Sequence, residues 1–351
     1  MERNLDTDEA EIAEMVRGFL ALQARTAAEE SRPVRRGVHA KGVCVRAVFE
    51  VLDVAQGRDR ALATRLAKGV YARPGSYPAT VRFSNSDPKM NDDSRPDVRG
   101  LAFSAELAPH GSGAASARQD YSLQSAPTLP FNDVHALVVF ARVFGAPSET
   151  IALASMPFRD QLVFARSMIG VMRQKRQPVR PYQQLRYWSA VPFRHGSEDV
   201  VKYSALPAAA NSARPLERRN SNALRDELIR HLNEESTLSS FDFALQFLDT
   251  DHMTYQGKCR DANFWVENAA IEWPETQAPF HTVARLTLLP KSELCSEACD
   301  AAFIDVAGNT TADGAPVGDV NRVRSRAVAA SRNARLGRDK QIQKSGTRRE
   351  P

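Results

Sequence analysis

Residues 36–42 read RGVHAKG and run directly into the alternating stretch VCVRAVFEV at 43–51. Apolar residues at every second position are typical of a half-buried strand, and we predict that this strand holds the imidazole of His39 at its beginning. Neutral imidazole can take up and return a proton near physiological pH, which chemistry on a small polar substrate requires. Buried polar side chains are usually no more than hydrogen-bonded parts of a core. For His39 taken alone, a core or loop histidine is therefore the alternative.

The composition is that of an ordinary globular protein of 351 residues, with 42% apolar and 25% charged residues. The net charge is +5, but residues 336–351 contain five basic and two acidic residues, so the rest of the chain carries only +2. A short basic end is commonly solvated, and no basic surface with interleaved aromatic residues is visible elsewhere. We therefore expect no nucleic-acid partner. No run of about 18 apolar residues is present, so we expect no membrane span.

The N-terminal stretch and the cysteines favour a cytoplasmic location. Residues 1–6 are acidic and lack the apolar segment of a secretory signal. We expect all four cysteines to be free thiols in that compartment; they are Cys44, Cys259, Cys295 and Cys299. The last two have a C-x3-C spacing without a second pair that would complete a zinc site, so we expect no metal there.

The order of the predicted elements favours an α+β fold. Helices are predicted at 7–30, 58–69, 134–144, 148–173, 220–235 and 319–335. Strands are predicted at 43–51, 80–84, 97–103, 186–193, 199–206, 242–248, 262–272 and 282–289. Short strands with helices concentrated in the flanks favour an antiparallel β-barrel wrapped by helices over alternating βαβ units. No P-loop, GxGxxG or GxSxG motif is present, which disfavours nucleotide binding and serine hydrolase chemistry.

Two further stretches place polar residues on one face of their element. In the strand at 80–84 the period of two puts Arg82 and Ser84 on one face. In the last helix Arg324, Val328 and Arg335 follow one stripe, with Ser331 between the last two. Guanidinium groups are forked donors that suit carboxylates, so this stripe can hold a flat anionic ligand. The alternative is a surface helix with scattered arginines.

Together these stretches resemble the haem catalase superfamily, in particular its small catalase-like members, over about residues 36–335. The segment at 36–42 looks like the family's segment around the distal histidine. VRFS at 81–84 is similar to the segment whose arginine contacts a haem propionate and whose serine supports that histidine. DVRG at 97–100 fits the family's D-x-R-G. The resemblance implies a catalase-like antiparallel β-barrel wrapped by helices.

The domain organisation implied by this resemblance has three parts. Residues 1–33 form an N-terminal helical arm, residues 34–335 a catalase-like haem domain, and residues 336–351 a disordered basic tail. The long N-terminal helix is a candidate for subunit contact, because the family often assembles into oligomers. A homo-oligomer is therefore possible.

Eight residues receive roles from the resemblance. The implied catalytic residues are His39, Gln124 and Ser84, and the implied haem-binding residues are Arg36, Arg82, Arg324, Val328 and Arg335. Gln124 stands where the family has its distal asparagine, and its amide is one methylene further from the backbone. Val328 stands where the family has the tyrosinate that ligates the iron. Valine has no lone pair, so the resemblance implies no protein ligand for a metal.

The implied function is that of a haem b protein acting on hydrogen peroxide or an organic hydroperoxide. His39 would remove a proton from peroxide and return it to the departing oxygen, while Gln124 orients the substrate and Ser84 fixes the imidazole. Loss of the anionic axial oxygen weakens cleavage of the O–O bond, so peroxidase-type turnover is favoured over full catalase turnover. The alternative is a catalase-fold pseudoenzyme that binds a hydrophobic ligand, haem or a partner without turning over peroxide.

Overall fold

The computed structural model describes residues 9–33, 36–107, 118–217, 219–235 and 238–346, with side chains up to residue 337. Its helices are α1 (Glu9–Glu29), α2 (Arg60–Leu66), α3 (Val134–Gly145), α4 (Glu149–Ser155), α5 (Phe158–Lys175), α6 (Ala223–Glu234), α7 (Ala262–Glu267), α8 (Ser296–Ala301) and α9 (Asp319–Gly346). Its strands are β1 (Gly42–Val51), β2 (Gly75–Asn85), β3 (Arg99–Glu106), β4 (Arg118–Gln124), β5 (Tyr187–Trp188), β6 (Phe193–His195), β7 (Asp199–Pro207), β8 (Ser240–Phe247), β9 (Thr254–Tyr255), β10 (Lys258–Cys259) and β11 (Phe280–Glu293).

Eight strands form a closed antiparallel barrel in the order β5-β4-β3-β2-β1-β11-β8-β7. Closure comes from the pairing of β5 with β7, in which Tyr187 lies opposite Ala205. Strand β6 extends the sheet from β7, and β9 with β10 forms a separate ribbon. A closed barrel leaves few unpaired strand edges. The predicted antiparallel barrel wrapped by helices is confirmed.

Aromatic side chains fill the inside of the barrel. Phe103 and Tyr121 stack with ring centroids 4.5 Å apart, and Phe243 meets Tyr121 edge-on at 5.0 Å. Phe49 packs against the same group from β1. Because side chains alternate along a strand, the residues between these aromatics point to the outside of the barrel. A surface for ligands therefore has to lie between the outer face and the helices.

Several predicted elements differ from the structure. The strand predicted at 186–193 is reduced to the two residues of β5. The single helix predicted at 148–173 is two helices, because Pro157 separates α4 from α5 and proline cannot donate a helical N–H. The strand predicted at 262–272 is wrong, since this segment begins with helix α7. Asp261 caps α7 by accepting a hydrogen bond from the backbone N–H of Phe264, at 2.8 Å.

The last helix is longer than predicted. α9 continues to Gly346, through a segment where we expected the disordered tail to begin at Leu336. Arginine, lysine and glutamine are good helix formers, which accounts for the continuation. Residues 347–351 of the predicted tail and residues 1–8 of the predicted arm lie outside the described residues. The predicted boundaries of the haem domain, after residues 33 and 335, stay predictions.

The cysteine prediction is wrong for two of the four residues. Cys44 on β1 and Cys299 on α8 form a disulfide, while Cys259 and Cys295 are free and exposed. The two paired cysteines are 255 positions apart, so the sequence gives no local signal for the pairing. Disulfides are rare in a reducing cytosol, so the expected cytoplasmic location loses the support that free thiols gave it. Within the described ranges, no helix is both long and apolar enough to cross a bilayer.

Candidate functional site

A cavity of about 1090 Å³ lies between the outer face of the barrel and the surrounding helices. Its walls come from β2, β3 and β4, from the loop before β1, and from α1, α3, α5 and α9. All eight residues to which the sequence gave roles line this cavity: Arg36, His39, Arg82, Ser84, Gln124, Arg324, Val328 and Arg335. Their roles stay predictions, but the structure brings them together in one place.

Strand register explains how the barrel side of the cavity is assembled. Gly42 lies opposite Ser84, Ser84 opposite Gly100, and Gly100 opposite Gln124. The four residues therefore form one row across β1 to β4. Because side chains alternate, Arg82 two positions before Ser84 points to the same outer face. The predicted pairing of Arg82 with Ser84 on one face is consistent with both residues lining the cavity.

The imidazole of His39 is fixed by neighbours on this row. His39 lies in the loop before β1, not in the strand itself, and its backbone adopts the left-handed conformation with φ of 57°. Its Nδ1 atom is 3.1 Å from the Ser84 hydroxyl oxygen. A Cβ at position 100 would lie 2.6 Å from that oxygen and 3.2 Å from Nδ1. Only a glycine at this position therefore leaves room for the His39 and Ser84 side chains. A non-glycine residue held at positive φ is frequently part of a functional site.

The surroundings keep the His39 imidazole neutral. Burial lowers the pKa of His39 to about 4, and the positive charge of Arg82 acts in the same direction. Near neutral pH the ring therefore has one nitrogen that can accept a proton. This is the protonation state that a general base needs.

Three of the four cavity arginines to which the sequence gave roles are held by backbone carbonyls. Arg82 donates to the carbonyl of His39 at 2.8 Å. Arg36 donates to the carbonyl of Ala302 at 2.5 Å, and Arg335 donates to that of Asp300 at 2.6 Å. These guanidinium groups position the histidine loop and the C-terminal end of α8. Contact with an anionic ligand would be an additional role for them.

Arg324 differs from the other three. Within the part of the chain that the structure describes, its side chain has no hydrogen bond or ion pair. Burial lowers the pKa of Arg324, because the charged form is removed from water without compensation. Its charge also contributes to the lowered pKa of His39, so the two groups share one electrostatic environment. Arg324 is thus a cation in the cavity wall that lacks an anion among the described residues.

Gln124 uses its amide group locally. Its side-chain nitrogen donates to the carbonyl of Thr128 at 2.6 Å and approaches that of Ala126 at 3.4 Å. The donor that would orient a substrate is therefore engaged by the loop that follows β4. To orient a substrate, as predicted, Gln124 would have to exchange its hydrogen bond to Thr128 for one to the substrate.

The remaining walls are mostly apolar, and sequence reasoning missed them. Val328 itself is 42% exposed, and it borders the cavity beside Ala327. The apolar residues on α3 and α5 that line the cavity are Leu137, Phe140, Phe144, Met168, Val171 and Met172. Their helical spacing was visible in the sequence, but an amphipathic pattern does not say whether an apolar face covers a core or a cavity.

The residues present do not fit a haem whose iron is bound by a tyrosinate. Val328 offers no donor atom at the ligand position, and the Ser331 hydroxyl one turn further on accepts a hydrogen bond from the backbone of Gly37. Among the described residues, no group of three or more His, Cys, Asp or Glu side chains could hold a metal ion. We therefore derive no chemical step that passes through a haem iron.

No protein-family model matches the chain, and no curated protein matches it in sequence. Solved structures do match. A fungal catalase aligns with a TM-score of 0.64 at 15% identity, covering 90% of this chain and 62% of that chain. The fold is catalase-like. Catalase A from Saccharomyces cerevisiae aligns with a TM-score of 0.57 at 15% identity, covering 89% of this chain and 63% of its own.

A bacterial catalase aligns with a TM-score of 0.53 at 14% identity, covering 95% of this chain and 61% of its own. The catalase-like chain thus matches less than two thirds of the length of these three structures. Likeness at this level of identity establishes the fold. It leaves the ligand and the reaction to be argued from the residues in the cavity.

Proposed function

We propose that this catalase-fold protein binds, in the cavity between the barrel and α9, a large apolar ligand that carries an anionic group. The observation that carries the proposal is Arg324. A half-buried guanidinium without a partner costs about 1–2 kcal/mol, and a bound carboxylate offsets this cost through a charge-assisted hydrogen bond. The ligand would therefore place its anion at Arg324.

The shape and lining of the cavity support the apolar part of this ligand. The volume of about 1090 Å³ is slightly above the usual range of small-molecule sites, roughly 300–1,000 Å³, and suits a large ligand. Phe140 and Met172 contribute apolar wall from α3 and α5, and Val328 contributes it from α9. A valine in place of a metal ligand adds apolar contact area. Binding of this kind requires no bond to iron.

Comparison of metal-free protoporphyrin with haem tests the proposal. Both are flat and carry two carboxylates, and they differ only in the iron. Since the wall offers iron no tyrosinate, we expect both to bind with the same affinity in a calorimetric titration. A long-chain fatty acid, titrated in parallel, shows whether the cavity prefers a flat or a linear apolar body.

The matched variants are Arg324→Met and Arg326→Met. Arg326 is on the same helix but is exposed and paired with Glu9 at 3.2 Å. Loss of a charge-assisted bond predicts about tenfold weaker carboxylate binding for Arg324→Met and no change for Arg326→Met. The proposal is wrong if none of the three ligands saturates the protein, or if the two variants bind alike.

Peroxide turnover is the second candidate function, and the pair formed by His39 and Ser84 supports it. A neutral imidazole with Nδ1 held at 3.1 Å by a hydroxyl can accept a proton at Nε2 and return it. The test is expression with added haem, followed by the visible spectrum and by oxygen release or hydroperoxide consumption. A haem spectrum with turnover in wild type but not in His39→Gln favours this function, and a colourless, inert protein excludes it.

A further inference from the structure

An apolar stripe on α5 faces away from the protein. Phe158, Leu162, Ala165, Ile169 and Met172 follow one another at spacings of four, three, four and three, which places them on one face of a helix. All five are exposed, Phe158 at 73%, and Ile151 on the preceding helix α4 is exposed at 71%. Five of the ten exposed large apolar side chains in the described residues lie on α4 and α5. Apolar patches of this kind mark interaction surfaces.

A row of arginines runs along one side of the stripe. Arg159, Arg166 and Arg173 each follow a stripe residue by one position and recur every seven residues. All three are exposed, and within the described ranges none has a side-chain hydrogen bond or ion pair. The only acidic residue on α5 is Asp160, which is buried and bonded to His135. The outer surface of this helix is therefore apolar and positively charged.

The cavity lies on the other side of the stripe. Met168 and Val171 each precede a stripe residue by one position, and both line the cavity. Met172 belongs to the exposed stripe and to the cavity wall at the same time. Around α5 the order is thus arginine row, exposed apolar stripe, cavity. A molecule bound to the stripe lies at the edge of the cavity.

We propose that the outer face of α4 and α5 docks on an anionic lipid bilayer. Interfacial helices bury an apolar face at the level of the lipid headgroups and use basic side chains beside it to bind anionic lipids. The stripe and the arginine row have this arrangement. The docked helix brings the cavity wall at Met172 to the bilayer surface. This inference does not rest on the proposed ligand, because it concerns a surface outside the cavity.

The charge on α5 favours a bilayer over a second copy of this chain. Two copies that met through the stripe would bring their arginine rows close together, with no acidic side chain exposed on α5 to pair with them. Anionic headgroups compensate these charges. A dimer formed through the stripe is therefore the outcome that contradicts the proposal.

Flotation with lipid vesicles tests the docking. We expect the full chain to float with phosphatidylcholine vesicles that contain phosphatidylserine, to float less at high salt, and to stay in solution with phosphatidylcholine alone. Replacing Arg159, Arg166 and Arg173 by Gln should weaken binding to the anionic vesicles roughly 100-fold at low salt. Phe158→Ser with Ile169→Ser should weaken it at least about tenfold.

A control variant shows whether vesicle binding depends on the arginines of α5 or only on the net positive charge of the protein. Arg46, Arg60 and Arg73 are exposed arginines outside α5 and the cavity, and their replacement by Gln removes the same net charge. We expect this variant to float like the wild type, and thermal melts to show all variants folded. Equal loss in both triple variants overturns the proposal. So does absence of flotation, or a dimer in sedimentation that Phe158→Ser abolishes.

Discussion

His39 and Val328 line the same cavity from different elements, His39 from the loop before β1 and Val328 from α9. The cavity therefore combines a neutral imidazole on the barrel side with a side chain on α9 that cannot bind a metal. Of these two groups that the resemblance implies, the cavity contains the imidazole and lacks the metal ligand.

Val328→Tyr is expected to confer tight haem binding. The valine is 42% exposed at the cavity wall, so a phenol ring has space there, and its oxygen supplies the missing ligand. The control is Val328→Phe, which adds the same ring without the oxygen. We expect a Soret band that survives gel filtration in the Tyr variant alone. Equal spectra for the two variants would show that position 328 does not face a bound haem.

Arg324→Met is expected to stabilise the ligand-free protein. Removing a half-buried charge that has no partner among the described residues, while keeping apolar volume, should raise the free energy of unfolding by about 1–2 kcal/mol. Arg326→Met removes only the exposed ion pair with Glu9, so it should change the free energy of unfolding by less than about 1 kcal/mol. Urea denaturation measures both. A decrease for Arg324→Met would mean that Arg324 already has a stabilising partner.

The sequence predicted which of these residues share a face of their element, because that depends on local patterns. A period of two placed Arg82 and Ser84 together, and a helical period placed Arg324 and Val328 together. Both patterns are properties of single elements. The closed barrel then brought them to one cavity, as the resemblance implied.

The sequence could not predict features that depend on contacts between distant elements. The local bonds of Gln124 come from the loop after β4, and the partner of Cys44 is 255 positions away. The prediction of a strand at 262–272 was wrong because Asp261 caps a helix there, and this outweighs the β propensity of the residues that follow. The sequence also did not predict that the apolar stripe on α5 is exposed, because apolar residues at helical spacing usually indicate a buried face.

The disulfide predicts two accessible thiols in the unfolded oxidised chain and four after reduction, because Cys259 and Cys295 are free. Replacing Cys44 and Cys299 by Ala should lower the free energy of unfolding by about 3 kcal/mol, since the bond restricts the unfolded chain. Replacing the two exposed cysteines by Ser is the control and should change little. Four reactive thiols without reductant would contradict the pairing.

The same disulfide should affect ligand binding. It anchors α8 to β1, and the backbone carbonyls of Cys299 and Ala302 accept hydrogen bonds from Arg36 in the cavity wall. We expect the reduced protein to bind protoporphyrin more weakly than the oxidised protein at a temperature where both are folded. Equal affinities would show that Arg36 keeps its place without the bond.

His39 predicts a specific pH dependence of stability. Burial lowers the pKa of its imidazole to about 4 in the folded protein, whereas in the unfolded chain the pKa has its ordinary value of 6.5. Between these values the unfolded state binds more protons, so stability is lost as the pH falls from 6.5 towards 4. Above 6.5 the contribution is constant. This difference in pKa corresponds to at most about 3 kcal/mol.

The measurement is the free energy of unfolding from pH 7 to 4 for wild type and His39→Gln, in which all other titrating groups are shared. Wild type should lose up to about 3 kcal/mol more than the variant over this range. The control is His252→Gln. Asp249 accepts a hydrogen bond from His252 and raises its pKa, so His252 should instead add stability as the pH falls. Parallel curves for wild type and His39→Gln would mean that the imidazole of His39 is as accessible to protons in the folded protein as in the unfolded chain.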